Sequence, residues 1–411
     1  MTPADRVLAE LAAIRDWQEL LYLDFHRNPE LSSHEKRTSQ VIARQLLEFG
    51  YKTHHVGGGI VGILTNGSGP RVLLRADMDA LPVIERTSLP YASTVTTVDD
   101  DGNAVGVMHA CGHDVHVTAL LGAARLMAEN RDAWTGTLIA LFQPAEETAA
   151  GAQAMLDAGL RDILPRPDVA LAQHVLGHEA GSVVTVAGPS LACADSIRIT
   201  IHGVGSHGAM PHLGIDPVLV AAAVIQRLQG IVSRELPPGE RAVVTVGAVH
   251  AGLKSNVISD RAELLVNTRA YSSETRNKIV AAIERIVRGE CAASGCPSEP
   301  EFTYYDQFPL TDNDPATTQK VTDALRNRLG DDKIGVLAPL AASEDFSRIP
   351  DAFGVPYTYW GLGGFPPGVD APPNHSPLFA PTMRPTLSTG TEALVVAALA
   401  YLAEAEGEAT R

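Results

Sequence analysis

Apolar residues recur at helical spacing over residues 5–22 and again from Lys36 to Phe49, where Gly50 is placed as a C-cap glycine, so two amphipathic helices are predicted. The period then changes. Short apolar runs at Ile60–Leu64, Val72–Leu74, Thr137–Phe142 and Val169–Ala172 read as strands, and helices are predicted over 114–129 and 151–159. This alternation describes an α/β domain on a largely parallel sheet. Asp114 is placed to N-cap its helix, with Val117, Leu120, Leu121, Ala124 and Met127 forming one buried stripe.

From Ser196 the pattern becomes strand (SIRITIHG), long helix (DPVLVAAAVIQRLQGIVSREL), two strands (AVVTVGAVH and AELLVNTRAY), helix (SETRNKIVAAIERIVRGE) and strand (PEFTYYDQF). That βαββαβ order is a complete split-βαβ sandwich. Residues 310–411 return to α/β character, with VPYTYWG and a final Ala-rich helix at 386–404. The expected organisation is one α/β domain made of residues 1–190 and 306–411, interrupted by an inserted domain at residues 191–305. Two long loops, 92–106 and 362–382, read either as solvated connections or as the rim of a site.

Length agrees with more than one domain, because 411 residues at about 150 per domain imply two or three. The balance of 32 Lys plus Arg against 48 Asp plus Glu gives −16 with no basic run, which argues against nucleic acid as a partner. Asp5, Arg6 and Glu10 interrupt the apolar core that a signal peptide needs, so a cytoplasmic location is expected. The longest apolar run, Ala393 to Ala403, falls short of the roughly 20 residues of a membrane span, and no membrane partner is expected. Four cysteines without a Cys-x-x-Cys pair exclude a disulfide scaffold and leave packing or one functional thiolate.

The chemistry gathers where strands end. RVLLRA runs into Asp77 and Asp79, TLIALF into Gln143, Glu146 and Glu147, and DVALAQ into His174, three separate deliveries of acid or imidazole to one edge of an α/β sheet. Met108 to Asp114, MHACGHD, packs two imidazoles, a thiol and a carboxylate before a helix, a set able to grip one or two metal ions. Taken singly, each piece has a plainer reading. Glu146 and Glu147 could be solvated, His174 a core imidazole, Asn374-His375-Ser376-Pro377 a turn, and Ser343 the cap of a helix begun by Glu344 and Asp345. The loop Gly205–His212 could be a flexible turn, and Arg269 a solvated edge charge.

In their order along the chain, MHACGHD, PAEE, the strand-end histidine, SHGAMPH, NVISD with NTR, SEDF and NHSP resemble the aminoacylase, carboxypeptidase and hippurate-hydrolase superfamily of two-metal amidohydrolases. Within it they are similar to the branch of N-acyl-amino-acid amidohydrolases, hippurate hydrolases and auxin-conjugate hydrolases. The resemblance implies an α/β catalytic domain and an inserted ferredoxin-like lid and dimerisation domain. It makes Cys111, His113, Glu147, His174 and His375 ligands of two divalent ions, with the Cys111 thiolate shared between them, and Glu146 the general base. Manganese, zinc, cobalt and nickel all suit such a mixed shell. By the same resemblance, Asp77 and His109 orient ligands through hydrogen bonds, His207 donates to the oxyanion from the partner subunit, and Asn256 and Arg269 hold the α-carboxylate.

The implied reaction is hydrolysis of N-acyl-L-amino acids to a carboxylic acid and a free amino acid by metal-activated water, in a homodimer or a higher oligomer. A dipeptidase or carboxypeptidase, or an N-carbamoyl-amino-acid amidase, would keep the same metals. An inactive, metal-retaining binding protein would first lose the base or a ligand, and all six positions are intact. Ser259, Ala342, Leu176 and Gly177 depart from the family pattern without removing a reactive group. A deaminase lacks support, since its His-x-Glu with Pro-Cys-x-x-Cys signature is missing.

Overall fold

In the computed structural model, which describes residues 2–99 and 102–402, the chain divides into two units. One takes the chain up to Ser190, then Asp312–Ala338 and the part from Asp345 onward; the other takes Leu191–Thr311 and Pro339–Glu344. In chain order the strands used below are β1 Lys52–Val56, β2 Gly59–Asn66, β3 Arg71–Asp77, β4 Gly136–Gln143, β5 Val169–Glu179, β6 Val183–Thr185, β7 Cys193–His202, β8 Ala242–Ala251, β9 Arg261–Ala270, β10 Glu301–Phe308, β11 Ile334–Val336 and β12 Tyr357–Phe365. The helices are α1 Arg15–Arg27, α2 Lys36–Glu48, α3 His113–Glu129, α4 Gly151–Asp157, α5 Pro217–Leu228, α6 Ser273–Ala293, α7 Pro315–Leu329 and α8 Met383–Leu402.

The first unit is built on an eight-stranded sheet of order β1-β2-β4-β3-β5-β12-β6-β11. Its centre, β4-β3-β5-β12, is parallel throughout, while β1-β2, β2-β4 and β12-β6 are antiparallel. Every residue of β4 and of β12 is buried, as strands covered on both faces require. Helix α3 runs through the middle of this core. The expected stripe of Val117, Leu120, Leu121, Ala124 and Met127 is buried, but so are Thr118, Ala119, Gly122, Ala123 and Leu126 between those positions. The helix therefore packs on all sides, with Gln18 of α1 donating to Thr391 of α8 at 2.6 Å and to the Thr118 carbonyl at 3.3 Å.

Three local expectations are corrected. The helix expected over 5–22 is a short helix Pro3–Val7, a 3₁₀ turn Leu8–Glu10 and then α1. Val7, Leu8 and Ile14 are all buried, so packing re-aims the chain within a pattern whose period alone reads as continuous. Asp114 does not cap α3; Gly112 occupies the N-cap, and Asp114 lies in the first turn, paired with His26 at 2.7 Å. Ser343 starts no helix, because the next one begins at Arg348. The end of the expected C-terminal helix, residues 403–404, and residues 100–101 of the first long loop lie outside the described residues; the rest of that loop forms a small hairpin, Thr96–Val98 with Ala104–Gly106.

The second unit has the order β7-α5-β8-β9-α6-β10, and its antiparallel sheet runs β8-β9-β7-β10. Ile197, Ile199, Val224, Leu264, Ile283 and Val287 lie in its own apolar core. No helix among the described residues is long and apolar enough to cross a membrane.

His26 deserves a quantitative test because it is buried between two carboxylates, Asp114 at 2.7 Å and Glu85 at 3.2 Å. Burial works against its charge, yet hydrogen bonds and attraction from Asp114 and Glu85 outweigh burial and raise it to about 9. Its folded pKa exceeds the unfolded value near 6.5, so its contribution, on the order of 3 kcal/mol, is complete below that pH and is lost as pH rises through about 9. Urea denaturation should show stability falling across this window in the wild type and a flatter profile in His26→Gln. An unchanged slope in the variant would mean that another group titrates.

Candidate metal centre

The parallel registers bring the chemistry to one level. Asp77 pairs with Gln143, Arg75 with Ala172 and Gly361 with His174, so Asp77, Gln143 and His174 emerge together at the carboxyl edge of the sheet. The segment Cys111–His113 joins them at the N-terminus of α3. Gly112 makes this approach possible: it has φ +79, and a Cβ there would lie 2.3 Å from Val175.

Cys111 Sγ lies 3.5 Å from His174 Nε2, and Cys111, His113 and Glu147 hold ligand atoms within 4.8 Å of one another. His375 Nε2 is 3.2 Å from Glu147 Oε2. All five expected ligands are therefore joined by short contacts within the first unit. The imidazoles are also oriented. His113 Nδ1 meets Asp79 at 3.1 Å, and His174 Nδ1 donates to the Val175 carbonyl at 2.8 Å, leaving both Nε2 lone pairs to face the cluster.

Two atoms there make no hydrogen bond. His113 Nε2 and Glu147 Oε1 are buried, make no hydrogen bond and face each other at 3.7 Å. Burial and Glu147 push the Cys111 thiol up to about 12, and burial raises Glu147 to about 8. Burial opposes charge on His113 too, but Asp77, Asp79 and Cys111 outweigh it and raise the imidazole. Burial thus drives Cys111 and Glu147 to hold their protons and their acidic neighbours drive His113 to gain one, and once deprotonated this thiolate, imidazole and carboxylate set fits divalent metal, which would supply the missing positive charge.

A second geometric group, Asp77 with His113, His116 and His174, is not an independent metal site. The Val175 N–H donates to His116 Nε2 at 2.8 Å, so His116 carries its proton on Nδ1 and donates it to Asp77. This link fixes the strand at His174. Asp77 is held ionised: burial would raise it, but His113, His116 and Arg75 bring it well below the usual carboxylate range. The expected ligand-orienting roles are therefore redistributed. Asp77 acts through His116 and is 3.9 Å from His113, while Asp79 makes the direct contact. His109 makes none; both of its ring nitrogens lack a hydrogen-bond partner, and burial lowers it to about 4.

Glu146 and Glu147 sit on a loop under constraint. Ala145 at φ +46, Ala149 at φ +54 and His375 at φ +70 adopt a conformation costly for side-chain-bearing residues. The surroundings impose it. Glu35 accepts the Ala145 N–H at 2.8 Å, Asp79 accepts the Glu147 N–H at 3.0 Å, and the His375 N–H donates to Ala110 at 2.8 Å. Gly151 closes the loop, since a Cβ there would collide with the Pro144 carbonyl at 1.5 Å. Behind it, Arg75 donates to Gln143 at 3.0 Å and pairs with Asp345 at 3.5 Å, while Asp345 accepts the Ala152 N–H at 3.0 Å. The Glu146 carboxylate lies within 4.8 Å of that of Asp345. Glu35 and His116 had no role in the sequence reading, while Asp79 was named there only as a strand-end acid. The one local signal for this network was Arg75, a charge inside an otherwise apolar strand.

In the second unit, His207 and Asn256 are neighbours: His207 pairs with Val257, and the Gly208 N–H donates to the Asn256 carbonyl at 2.8 Å. His207 Nδ1 accepts the Ala209 N–H at 3.0 Å, which leaves the proton of a neutral ring on Nε2. Arg269 is elsewhere. It pairs with Ala194 and Val243 near one end of the sheet, donates to Asn267 at 3.1 Å and also to Ser343. The Asn256 segment continues the β7–β9 ladder beyond Arg261, at the other end. Eight residues of extended strand separate these ends by about 25 Å.

Against known proteins, residues 73–400 match the model of peptidase family M20/M25/M40. Thermostable carboxypeptidase 2 of Saccharolobus solfataricus is 34% identical over 92% of this chain and 94% of its own length. IAA-amino acid hydrolase ILR1-like 4 of Arabidopsis thaliana is 35% identical, covering 89% and 81%, and N-acetyl-L-cysteine deacetylase of Bacillus subtilis is 35% identical, covering 82% and 79%. Among solved structures, an aminohydrolase from methicillin-resistant Staphylococcus aureus superposes with TM-score 0.86 at 30% identity over 97% of this chain and 99% of its own. The YXEP protein of Bacillus subtilis, a dinuclear metal-binding peptidase from the M20 family, gives 0.77 at 29% identity, covering 94% and 98%. The chain belongs to peptidase family M20/M25/M40. It is a hydrolase of amide bonds, and the expected fold class holds.

The Glu35 contact is open to test. Burial and Asp79 raise this carboxyl to about 7, and its acceptor oxygen fixes the residue before Glu146. Glu35→Ala should lower turnover by about 10²-fold through misplacement of the loop, with metal content retained. Glu35→Gln keeps an acceptor and should lose less. Wild-type turnover in Glu35→Ala, measured beside elemental analysis, would remove Glu35 from the account.

Proposed function

We propose that this chain hydrolyses N-acyl amino acids, with Cys111, His113, Glu147, His174 and His375 holding two divalent ions. The observation that carries the reading is the close cluster of these five side chains with His113 Nε2 and Glu147 Oε1 buried and without a hydrogen bond. Bound there, the ions would polarise the amide carbonyl and make water a nucleophile at neutral pH. Glu146, on the same loop as Glu147, takes the proton of the attacking water and returns it to the leaving amine. The fixed Nε2–H of His207 suits a donor to the oxyanion. Arg269, half-buried and steadied by Asn267 and Ser343, offers its two-pronged guanidinium to the α-carboxylate.

His207 with Asn256 and Arg269 lie too far apart on one lid to close on the same small substrate. We assign them to different sites of a homodimer, His207 and Asn256 serving the partner subunit's substrate. The acyl group is read from similarity to the hydrolase of IAA-amino acids and the N-acetyl-L-cysteine deacetylase. A carboxypeptidase is the second reading, favoured by the 34% identity to a thermostable carboxypeptidase.

One set of assays tests this. Metal-loaded enzyme should cleave N-acetyl and N-benzoyl amino acids well and their carboxamides poorly, and should lose activity to a chelator. Glu146→Gln should lose about 10²–10⁴-fold, and His207→Ala about 10²–10³-fold. Mixing the two variants under subunit exchange should restore roughly a quarter of wild-type activity, because about half of the dimers then contain one complete site. Turnover in metal-free protein would overturn the proposal. Cleavage of peptides alone would select the carboxypeptidase, and no recovery after demonstrated exchange would place His207 in its own subunit's site or outside catalysis.

A further inference from the structure

Three of the four cysteines lie outside the metal centre. Cys193 is buried and its Sγ donates to the Ala270 carbonyl at 3.1 Å, which occupies it. Cys291 and Cys296 are different. They sit at the C-terminus of α6, where the Gly295 N–H donates to the Ala292 carbonyl at 3.1 Å and the Cys296 N–H to the Cys291 carbonyl at 3.0 Å. With Gly295 at φ +70, these are the paired bonds of a Schellman turn. Such a turn brings the side chains of its first and sixth residues into contact, usually as an apolar pair. Here both are thiols.

The two thiols differ in access. Cys291 is 3% exposed and Cys296 is half-buried, so a reagent reaches Cys296 first. Burial and the adjacent Cys296 push the Cys291 thiol up to about 12, an environment in which it does not react alone. Neither cysteine is in a disulfide, and neither belongs to the centre described above. The chain resumes as β10 at Glu301, so the turn fixes the path from α6 to an edge of the sheet.

We propose that Cys291 and Cys296 are a redox modification site, closed to a reversible disulfide by small-molecule disulfides. The Cys296 thiolate attacks one sulfur of the reagent, forming a mixed disulfide and expelling the other half as a thiolate. Cys291 then gives its proton to solvent as its sulfur attacks Cys296 Sγ, and the second half of the reagent leaves. The protein loses two hydrogen atoms and the reagent becomes two thiols, so the exchange balances. A thiol reductant reverses it. The closed bond clasps a turn that the backbone bonds already shape.

The test uses full-length, metal-loaded enzyme and 2-hydroxyethyl disulfide, followed by alkylation of free thiols in denaturant and peptide mass spectrometry. The expected result is a cross-linked peptide joining Cys291 to Cys296, loss of both from the alkylated pool, and recovery with dithiothreitol. Cys291→Ser should stop at a mixed disulfide on Cys296. Cys296→Ser should leave Cys291 unmodified. Hydrogen exchange at Gly295 and Cys296 should slow in the oxidised protein. Wild-type protein with both thiols still free, or with a mixed disulfide persisting on Cys296, would overturn the proposal.

Discussion

The arrangement of the larger unit depends on one electrostatic problem: lone pairs and acidic groups converge in a buried pocket at the ends of parallel strands. Burying a carboxylate or thiolate is costly without a compensating charge. The chain solves part of this itself, with Arg75 behind Asp77 and Asp345, and with imidazoles against Asp77 and Asp79. It leaves the last part open at His113 Nε2 and Glu147 Oε1. The surrounding bonds hold those atoms facing inward. The Asp77–His116–Val175 link holds the end of β5, the Glu35–Ala145 bond holds the acidic loop, and the Ala110–His375 bond holds the last imidazole.

Much of this was legible in the sequence because it is written in short segments. Buried parallel strands read as apolar runs, and the residues just after them read as a site because open α/β sheets collect ligands there. MHACGHD and PAEE carry their chemistry within a few residues. The supporting contacts do not. Glu35 reaches Ala145 and Asp79 reaches His113 across long stretches of chain, and no local period encodes such a partner. His109 shows the converse: the family resemblance implied a hydrogen-bonding role for it, yet its ring bonds nothing. Asp114 looked like a cap because Asp is favoured there, but the close approach to Val175 reserves that turn for Gly112, and His26 takes the carboxylate.

The smaller unit was read correctly as βαββαβ because its strands and helices alternate with clear periods. What sequence order concealed was distance. Asn256 and Arg269 are separated by a few residues and one strand, so they look like partners, yet an extended strand carries its ends far apart. The same strand geometry sets His207 beside Asn256, through the continuation of the β7–β9 ladder. Ser343 is also reassigned: it receives Arg269 and donates to the Ala192 carbonyl at 2.7 Å, a bracing contact within this unit.

The central claim is that the five-residue cluster is a two-cation site, and anomalous diffraction tests it most directly. Crystals of the protein loaded with manganese or zinc, measured on both sides of that metal's absorption edge, should show two peaks. Both should lie among Cys111, His113, Glu147, His174 and His375. A single peak, peaks bound by other residues, or a saturated crystal with no anomalous density at this edge of the sheet would contradict the account.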